Sequence, residues 1–245
     1  MADVSFPEWG IFDAIYLINL PERTDRRREL QAELRAVGLR AGDDRLVWVR
    51  AVRPAQAGEF ASIGARGCFL SHLECLKSAC EHGHQRVLIL EDDACFPRSQ
   101  NADLRELLLH LKKVPWSLWY GGHRLFDTLV PNDRFGVTEI QAGVRVDTAH
   151  CIAFQGEAIR AVRAFLELIL TRPAGHPEAG PMHVDGAYNT WRHLNPTATT
   201  LISLPPSCLQ RSSRSDIATT RWVDQVMLIR QAVAVGRRLR NLFGQ

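Results

Sequence analysis

An α/β fold with a mostly parallel sheet flanked by helices is predicted by three observations. Short β-rich apolar runs alternate with stretches of helical periodicity over the first half of the sequence. The run VLIL at 87–90 is unbroken by polar residues, as a strand buried on both faces of a mostly parallel sheet requires. Charged residues follow directly on strand ends, where open α/β sheets bind their ligands.

The elements follow in order. Ala14–Asn19 (AIYLIN) is expected to be a strand, and Leu30, Leu34 and Val37 recur at helical spacing before Gly38. A β-rich run at 46–52 completes a β-α-β unit, and the polar, small-residue stretch 54–62 reads as a surface loop. Over 64–81, Phe69, Leu73, Leu76 and Ala79 share a helical face, which His82, Gly83 and His84 end. After the strand at 87–90 come a helix over 104–111 and a strand over 116–120 that runs into Gly121 and Gly122. Ile140, Val144, Val146 and the run 151–154 then read as short strands before a helix at Glu157–Leu170. A Pro/Gly-rich loop (173–181), a short helix (185–191), a strand (199–204), a loop (205–215) and a basic amphipathic helix (222–243) complete the chain.

Composition narrows the class. With 46% hydrophobic and 23% charged residues, the 245-residue chain has ordinary globular make-up and enough length for a sizeable core. A net charge of +3 and a pI near 8.6 are too mild for a nucleic-acid binder and suit a phosphate-bearing small substrate. Cys68, Cys75, Cys80, Cys95, Cys151 and Cys208 form no C-x-x-C pair, so neither a disulfide framework nor a zinc ribbon is expected. A reducing, cytoplasmic setting is therefore predicted. The start MADVSFPEWG lacks a basic region followed by an apolar run, and no stretch of about 18 uncharged apolar residues occurs, so neither secretion nor membrane spanning is expected.

Three strand ends carry candidate chemistry: 19–26, 91–93 and 121–122. Strand alternation would aim Glu91 and Asp93 to one side and Asp92 to the other. Three adjacent carboxylates repel one another, and a hard cation such as Mg²⁺ or Mn²⁺, shared with a diphosphate, relieves that repulsion. The plain alternative is a solvated acidic strand end. Residues 19–26 open a helix, where backbone N–H groups and guanidiniums favour a phosphate, a ribose or a base edge; a capped, solvated helix start is the alternative. Cys68, His72 and Cys75 share a helical face, but one face supplies too few zinc ligands without a partner elsewhere, so buried free cysteines are expected.

The phrases INLPERTDRR (18–27), GARGCFLSH (64–72), VLILEDDA (87–94), VDGA (184–187) and QRSSRSDI (210–217) resemble, in type and order, those of glycosyltransferase family 25. That family includes bacterial lipooligosaccharide galactosyltransferases and collagen hydroxylysine galactosyltransferases. The resemblance implies a GT-A fold, a single Rossmann-like, mostly parallel sheet flanked by helices. It also implies an inverting, metal-dependent transfer of galactose or glucose from a UDP-sugar to an acceptor hydroxyl, with Mn²⁺ or Mg²⁺ as cofactor. The acceptor would be a glycan, a protein or a small molecule, and lipopolysaccharide biosynthesis is the expected setting. Carried over by position, Asn19, Arg23, Asp25 and Arg26 would lie near the nucleotide, and Glu91, Asp92 and Asp93 would hold the metal. Ser71 and His72 would face the donor, Asp185 would be the base, and Gln210, Ser215 and Asp216 would close the site. A plain N-cap aspartate is the alternative for Asp185. The chain departs from the family's usual pattern at AHCIAF (149–154) and SLWYGGH (117–123), segments that shape the sugar pockets.

The expected division is a transferase domain over 1–220 and a basic amphipathic helix over 221–245. That helix would either touch anionic lipid peripherally at the inner membrane face or pack on the domain. Two rival functions share the acidic triplet: a metal-dependent phosphohydrolase and a non-catalytic sugar-nucleotide binding scaffold.

Overall fold

The computed structural model describes residues 7–98, 101–125 and 136–211. Ser215, Asp216 and the basic helix expected within 221–245 lie outside the described residues. A short 3₁₀ turn, Pro7–Ile11, precedes β1 (Ala14–Asn19), α1 (Thr24–Ala36), β2 (Leu46–Arg50), α2 (Ile63–Glu81), β3 (Arg86–Glu91) and β4 (Ala94–Cys95). Then come α3 (Asn101–Leu111), β5 (Leu118–Leu125), β6 (Val137–Ile140), β7 (Val146–Gln155), α4 (Glu157–Leu170), α5 (Val184–Leu194), β8 (Thr200–Ser203) and β9 (Leu209–Gln210). Among the described residues no helix is long and apolar enough to cross a membrane.

Seven strands form one sheet in the order β2-β1-β3-β7-β5-β8-β6. The strands β2, β1, β3, β5 and β8 run one way, and β7 and β6 run against them. The sheet is thus mostly parallel and flanked by helices, as expected. Period-two alternation divides each central strand between two cores. Ala14, Tyr16 and Ile18 of β1 with Val87 and Ile89 of β3 pack with residues of α2, α4 and α5. Ile15 and Leu17 with Leu88 and Leu90 pack with Leu30 and Leu34 of α1, Leu104 and Leu108 of α3, and Trp9. Burial on both faces is why VLIL contains no polar residue.

Three expectations are corrected. The strand expected to stop at residue 120 runs through Gly121 and Gly122 to Leu125, so the glycine pair lies inside β5 and not at its end. The two glycines permit close packing there: a Cβ on Gly121 would lie 2.7 Å from Cys151 Sγ, and one on Gly122 would lie 2.2 Å from His150 Nε2. The register of β5 on β7 shifts on both sides of Gly122. Val144, expected in a strand, sits in the turn between β6 and β7, where its N–H bonds Gln141 O at 3.1 Å. The stretch 205–215, expected to be loop, contains β9, which pairs antiparallel with β4 and brings Gln210 opposite Ala94. Two-residue strands carry no period to read.

Candidate active site

The carboxyl ends of β1 and β3 lie side by side, with Ile18 paired to Glu91, so the loop after β1 meets the acidic triplet. This is the edge where open α/β sheets take ligands. The strand β3 ends at Glu91, and Asp92 and Asp93 are in a turn, so alternation ceases there and the three acids go to three different sets of partners.

Asp92 faces the β1–α1 loop. Its Oδ2 accepts from Asn19 Nδ2 at 2.7 Å and its Oδ1 from Arg26 Nη1 at 2.9 Å. Both ion-pair partners are nearly buried, and Asn19 also donates to Arg23 O at 3.2 Å, so Asn19, Arg26 and Asp92 hold the loop as one unit. Arg23 turns outward to Asp25, Nη2 to Oδ2 at 2.9 Å, and that hydrogen bond keeps the Asp25 carboxyl well below its ordinary range. The opening of α1 thereby presents guanidinium and backbone N–H groups beside the acids.

Glu91 faces α2. Its Oε1 lies 3.1 Å from His72 Nε2 and 3.5 Å from Cys68 Sγ. Burial by itself would raise the Glu91 pKa, but the hydrogen bond and charge of His72 hold it below the usual carboxylate value. Behind it, fully buried His72 places Nδ1 3.0 Å from the Tyr188 hydroxyl on α5. Ser71, expected to face the donor, is buried and bonded to backbone instead: it donates to Gly67 O at 2.7 Å and accepts from Val52 N at 2.8 Å. Gly67 allows this approach, since a Cβ there would lie 2.5 Å from Val52 O. His72 likewise acts behind Glu91 and is shielded from solvent.

Asp93 faces the β4–β9 pair. Its Oδ2 accepts from Gln210 Nε2 at 3.0 Å, its carbonyl accepts from Arg211 N at 2.8 Å, and its Oδ1 is buried with no hydrogen-bond partner among the described residues. Burial, and next the negative charge of Glu91, push its carboxyl up to about 6. An acid in that state is one that a cation would relieve. The donor set, a carboxylate oxygen without a partner among the described residues and beside a second acid, fits a hard divalent ion.

Asp185 lies at the second position of α5. The N-cap is His183, so Asp185 is not the cap. Its Oδ1 accepts from Gly186 N at 2.8 Å and its Oδ2 reaches across to Thr148 N of β7 at 3.1 Å. Thr148 has φ of 70°, a left-handed conformation that a β-branched residue adopts at a cost, and Asp185 helps to hold it. Asp185 lines a pocket of about 640 Å³ together with Arg145, Asp147, His183, Asn189 and Thr190.

Two residues went unread in the sequence. His150, within the divergent AHCIAF segment, is buried and bonds Thr148 Oγ1 at 3.2 Å and Cys208 O at 3.3 Å. Burial lowers its pKa, but Cys208 and the charge of Glu91 outweigh burial and the net shift is upward. Tyr188 could have been suspected from its place one helical turn after Asp185.

Residues 50–128 match the family model described as Glycosyltransferase family 25 (LPS biosynthesis protein). Procollagen galactosyltransferase 2 of Mus musculus is 26% identical over 144 residues, covering 51% of this chain and 23% of the relative. A probable inactive glycosyltransferase 25 family member 3 of Bos taurus is 27% identical over 131 residues, covering 46% of this chain and 22% of the relative. The aligned part of this chain therefore spans less than a quarter of these relatives' length. A glycosyltransferase involved in glycosylation of the major capsid of PBCV-1 is similar in structure with a TM-score of 0.39 at 10% identity, covering 78% of this chain and 92% of that one. With Cys68, Ser71, His72 and the EDD triplet all inside the matched segment, the chain is similar to glycosyltransferase family 25 in the region that builds the candidate site.

Proposed function

We propose that this chain is an inverting GT-A glycosyltransferase that moves a hexose, galactose or glucose, from a UDP-sugar to an acceptor hydroxyl. The observation that carries the reading is Asp93, whose buried oxygen, without a partner among the described residues, stands at the carboxyl end of the central strands beside the guanidinium-rich opening of α1. Asp93 would hold Mn²⁺ or Mg²⁺, with Glu91 adding negative charge and Asp92 committed to Asn19 and Arg26. A cation there supplies charge neutralisation for the departing diphosphate.

The chain's own groups account for the remaining chemistry. Asn19, Arg23 and Arg26, with Asp25 orienting Arg23, would receive the nucleotide, and Gln210 would steady Asp93 from below. The acceptor would enter the 640 Å³ pocket, where Arg145, Asp147, His183, Asn189 and Thr190 offer hydrogen-bonding groups to a polyhydroxyl compound on an otherwise largely apolar wall. Asp185 would take the proton from the attacking hydroxyl as the oxygen bonds the anomeric carbon and the bond to the diphosphate breaks, inverting that centre.

The test is a panel of nucleotide sugars assayed for hydrolysis and transfer, with and without Mn²⁺, using the full chain and Asp93→Ala. Metal-dependent release of UDP from one donor, lost in Asp93→Ala, is the expected result. Full activity in excess chelator would refute the role of the ion. Release of inorganic phosphate irrespective of the sugar would mark a phosphohydrolase, and UDP binding with no turnover of any donor would mark a non-catalytic binding domain.

A further inference from the structure

We propose that Cys68, His72 and Glu91 form a binding site for one borderline-soft divalent cation of the zinc class, separate from the hard-ion position at Asp93. The thiol, imidazole and carboxylate ligand atoms all lie within 4.8 Å of one another. Two edges of the triangle are 3.1 Å, His72 Nε2 to Glu91 Oε1, and 3.5 Å, Cys68 Sγ to Glu91 Oε1. A tetrahedral zinc centre with bonds of about 2.0–2.3 Å has ligand–ligand edges of roughly 3.3–3.8 Å, so the three groups already stand close to the spacing of such a centre.

The helix face alone does not make this site. Cys68 and His72 are four residues apart on α2, and Cys75, next on that face, is fully buried in the apolar core. The third ligand comes from β3, which packs against α2 and places Glu91 over the first two. A thiolate, an imidazole and one carboxylate make a set that suits zinc better than magnesium or manganese, and three protein ligands leave a fourth position open.

The surroundings match those of a metal-bound histidine. His72 Nδ1 lies 3.0 Å from the Tyr188 hydroxyl, and the two rings meet edge to face with centroids 5.9 Å apart. Such an outer hydrogen bond fixes the ring and its tautomer. Without metal, Cys68 S–H donates to Glu91 Oε1, and His72 Nε2 is paired with that same oxygen. On binding, the Cys68 proton is released to solvent, and His72 coordinates through an Nε2 without a proton, with Nδ1 facing the Tyr188 hydroxyl.

The test uses the full chain, stripped of metal with chelator and held in excess Mg²⁺ to fill the hard-ion position, then titrated with Co²⁺. One equivalent should give a thiolate-to-cobalt charge-transfer band that Zn²⁺ displaces. Cys68→Ser should abolish the band, Cys95→Ser should keep it, and Tyr188→Phe should weaken binding roughly 10-fold or more. Should Cys68→Ser fail to fold, one equivalent of Zn²⁺, but not Mg²⁺, should protect Cys68 of the unaltered chain from alkylation, read by peptide mass spectrometry. No charge-transfer band, an unchanged band in Cys68→Ser, or equal alkylation with and without Zn²⁺ would overturn the proposal. None of these readouts requires sugar transfer, so failure here leaves the transferase reading standing, and the reverse holds.

Discussion

Asp93→Asn is expected to stabilise the metal-free protein at neutral pH while removing its activity. Burial and the neighbouring Glu91 raise the Asp93 carboxyl from 3.8 to about 6, roughly two units at about 1.4 kcal/mol each, or up to about 3 kcal/mol. The sign follows from proton counting. Between the unfolded and folded values the native state holds a proton that the unfolded chain has lost, so stability falls as pH rises from about 4 to about 6. Above that window the whole penalty stands, and below it none. An amide at position 93 keeps an oxygen for Gln210 Nε2 and carries no charge, so the variant should gain about 1–3 kcal/mol at pH 7 and nothing at pH 3.5.

Urea denaturation at several pH values in chelator reads the difference directly. Adding Mn²⁺ should then stabilise the parent protein and leave Asp93→Asn unmoved, because an ion that binds only the native carboxylate shifts folding by mass action. A variant less stable than the parent at pH 7, or a difference independent of pH, would refute the reasoning, since either result means that the Asp93 charge is already compensated within the fold.

Asp185→Asn, which retains an acceptor for Thr148 N, should lower kcat roughly 10²–10⁴-fold with little change in Tm; near-normal transfer would make Asp185 a structural clamp. Arg26→Ala leaves Asp92 without its ion-pair partner and should cost about 3 kcal/mol, whereas the double variant with Asp92→Ala should cost less than the sum of the single changes in a denaturation cycle. Gly122→Ala should destabilise by about 1–3 kcal/mol, because its Cβ would lie 2.2 Å from His150 Nε2 and 2.7 Å from Cys208 O. Gly143→Ala, with no atom within 4 Å of the new Cβ, should stay within about 0.5 kcal/mol when both are followed by thermal melting.

The legible parts of the fold are those where one period runs undisturbed. The strand β1 and the helix α4 match their sequence readings end to end, because AIYLIN is a continuous apolar run and Ala158, Ile159, Val162, Leu166 and Ile169 trace one buried face. The pair Gly121 and Gly122 reads as a stop because glycine ordinarily punctuates, whereas here it serves close packing inside a strand. In the site, the β1–α1 loop and the triplet were legible from their place at strand ends. Their separate partners were not, since alternation stops with β3 at Glu91 and the turn re-aims the next two acids. His150 was hidden for a related reason: the left-handed Thr148 two residues earlier interrupts the pattern that would have assigned its face.

Three consecutive carboxylates invite the idea of one shared role, and the geometry divides them. Asp92 is the counterion that Arg26 requires, with both groups largely out of water, so removing it damages the β1–α1 loop before it touches any ion. Glu91 is tied to His72 and Cys68 on α2, so its replacement disturbs packing from α2 through Tyr188 to α5, the helix that carries Asp185. Asp93 alone keeps a buried oxygen with no partner among the described residues. Lost activity in a Glu91 or Asp92 variant is therefore ambiguous between chemistry and architecture. At Asp93, where the charged group weakens the fold that holds it, stability and activity should move in opposite directions, and that opposition is the signature of a residue kept for its function.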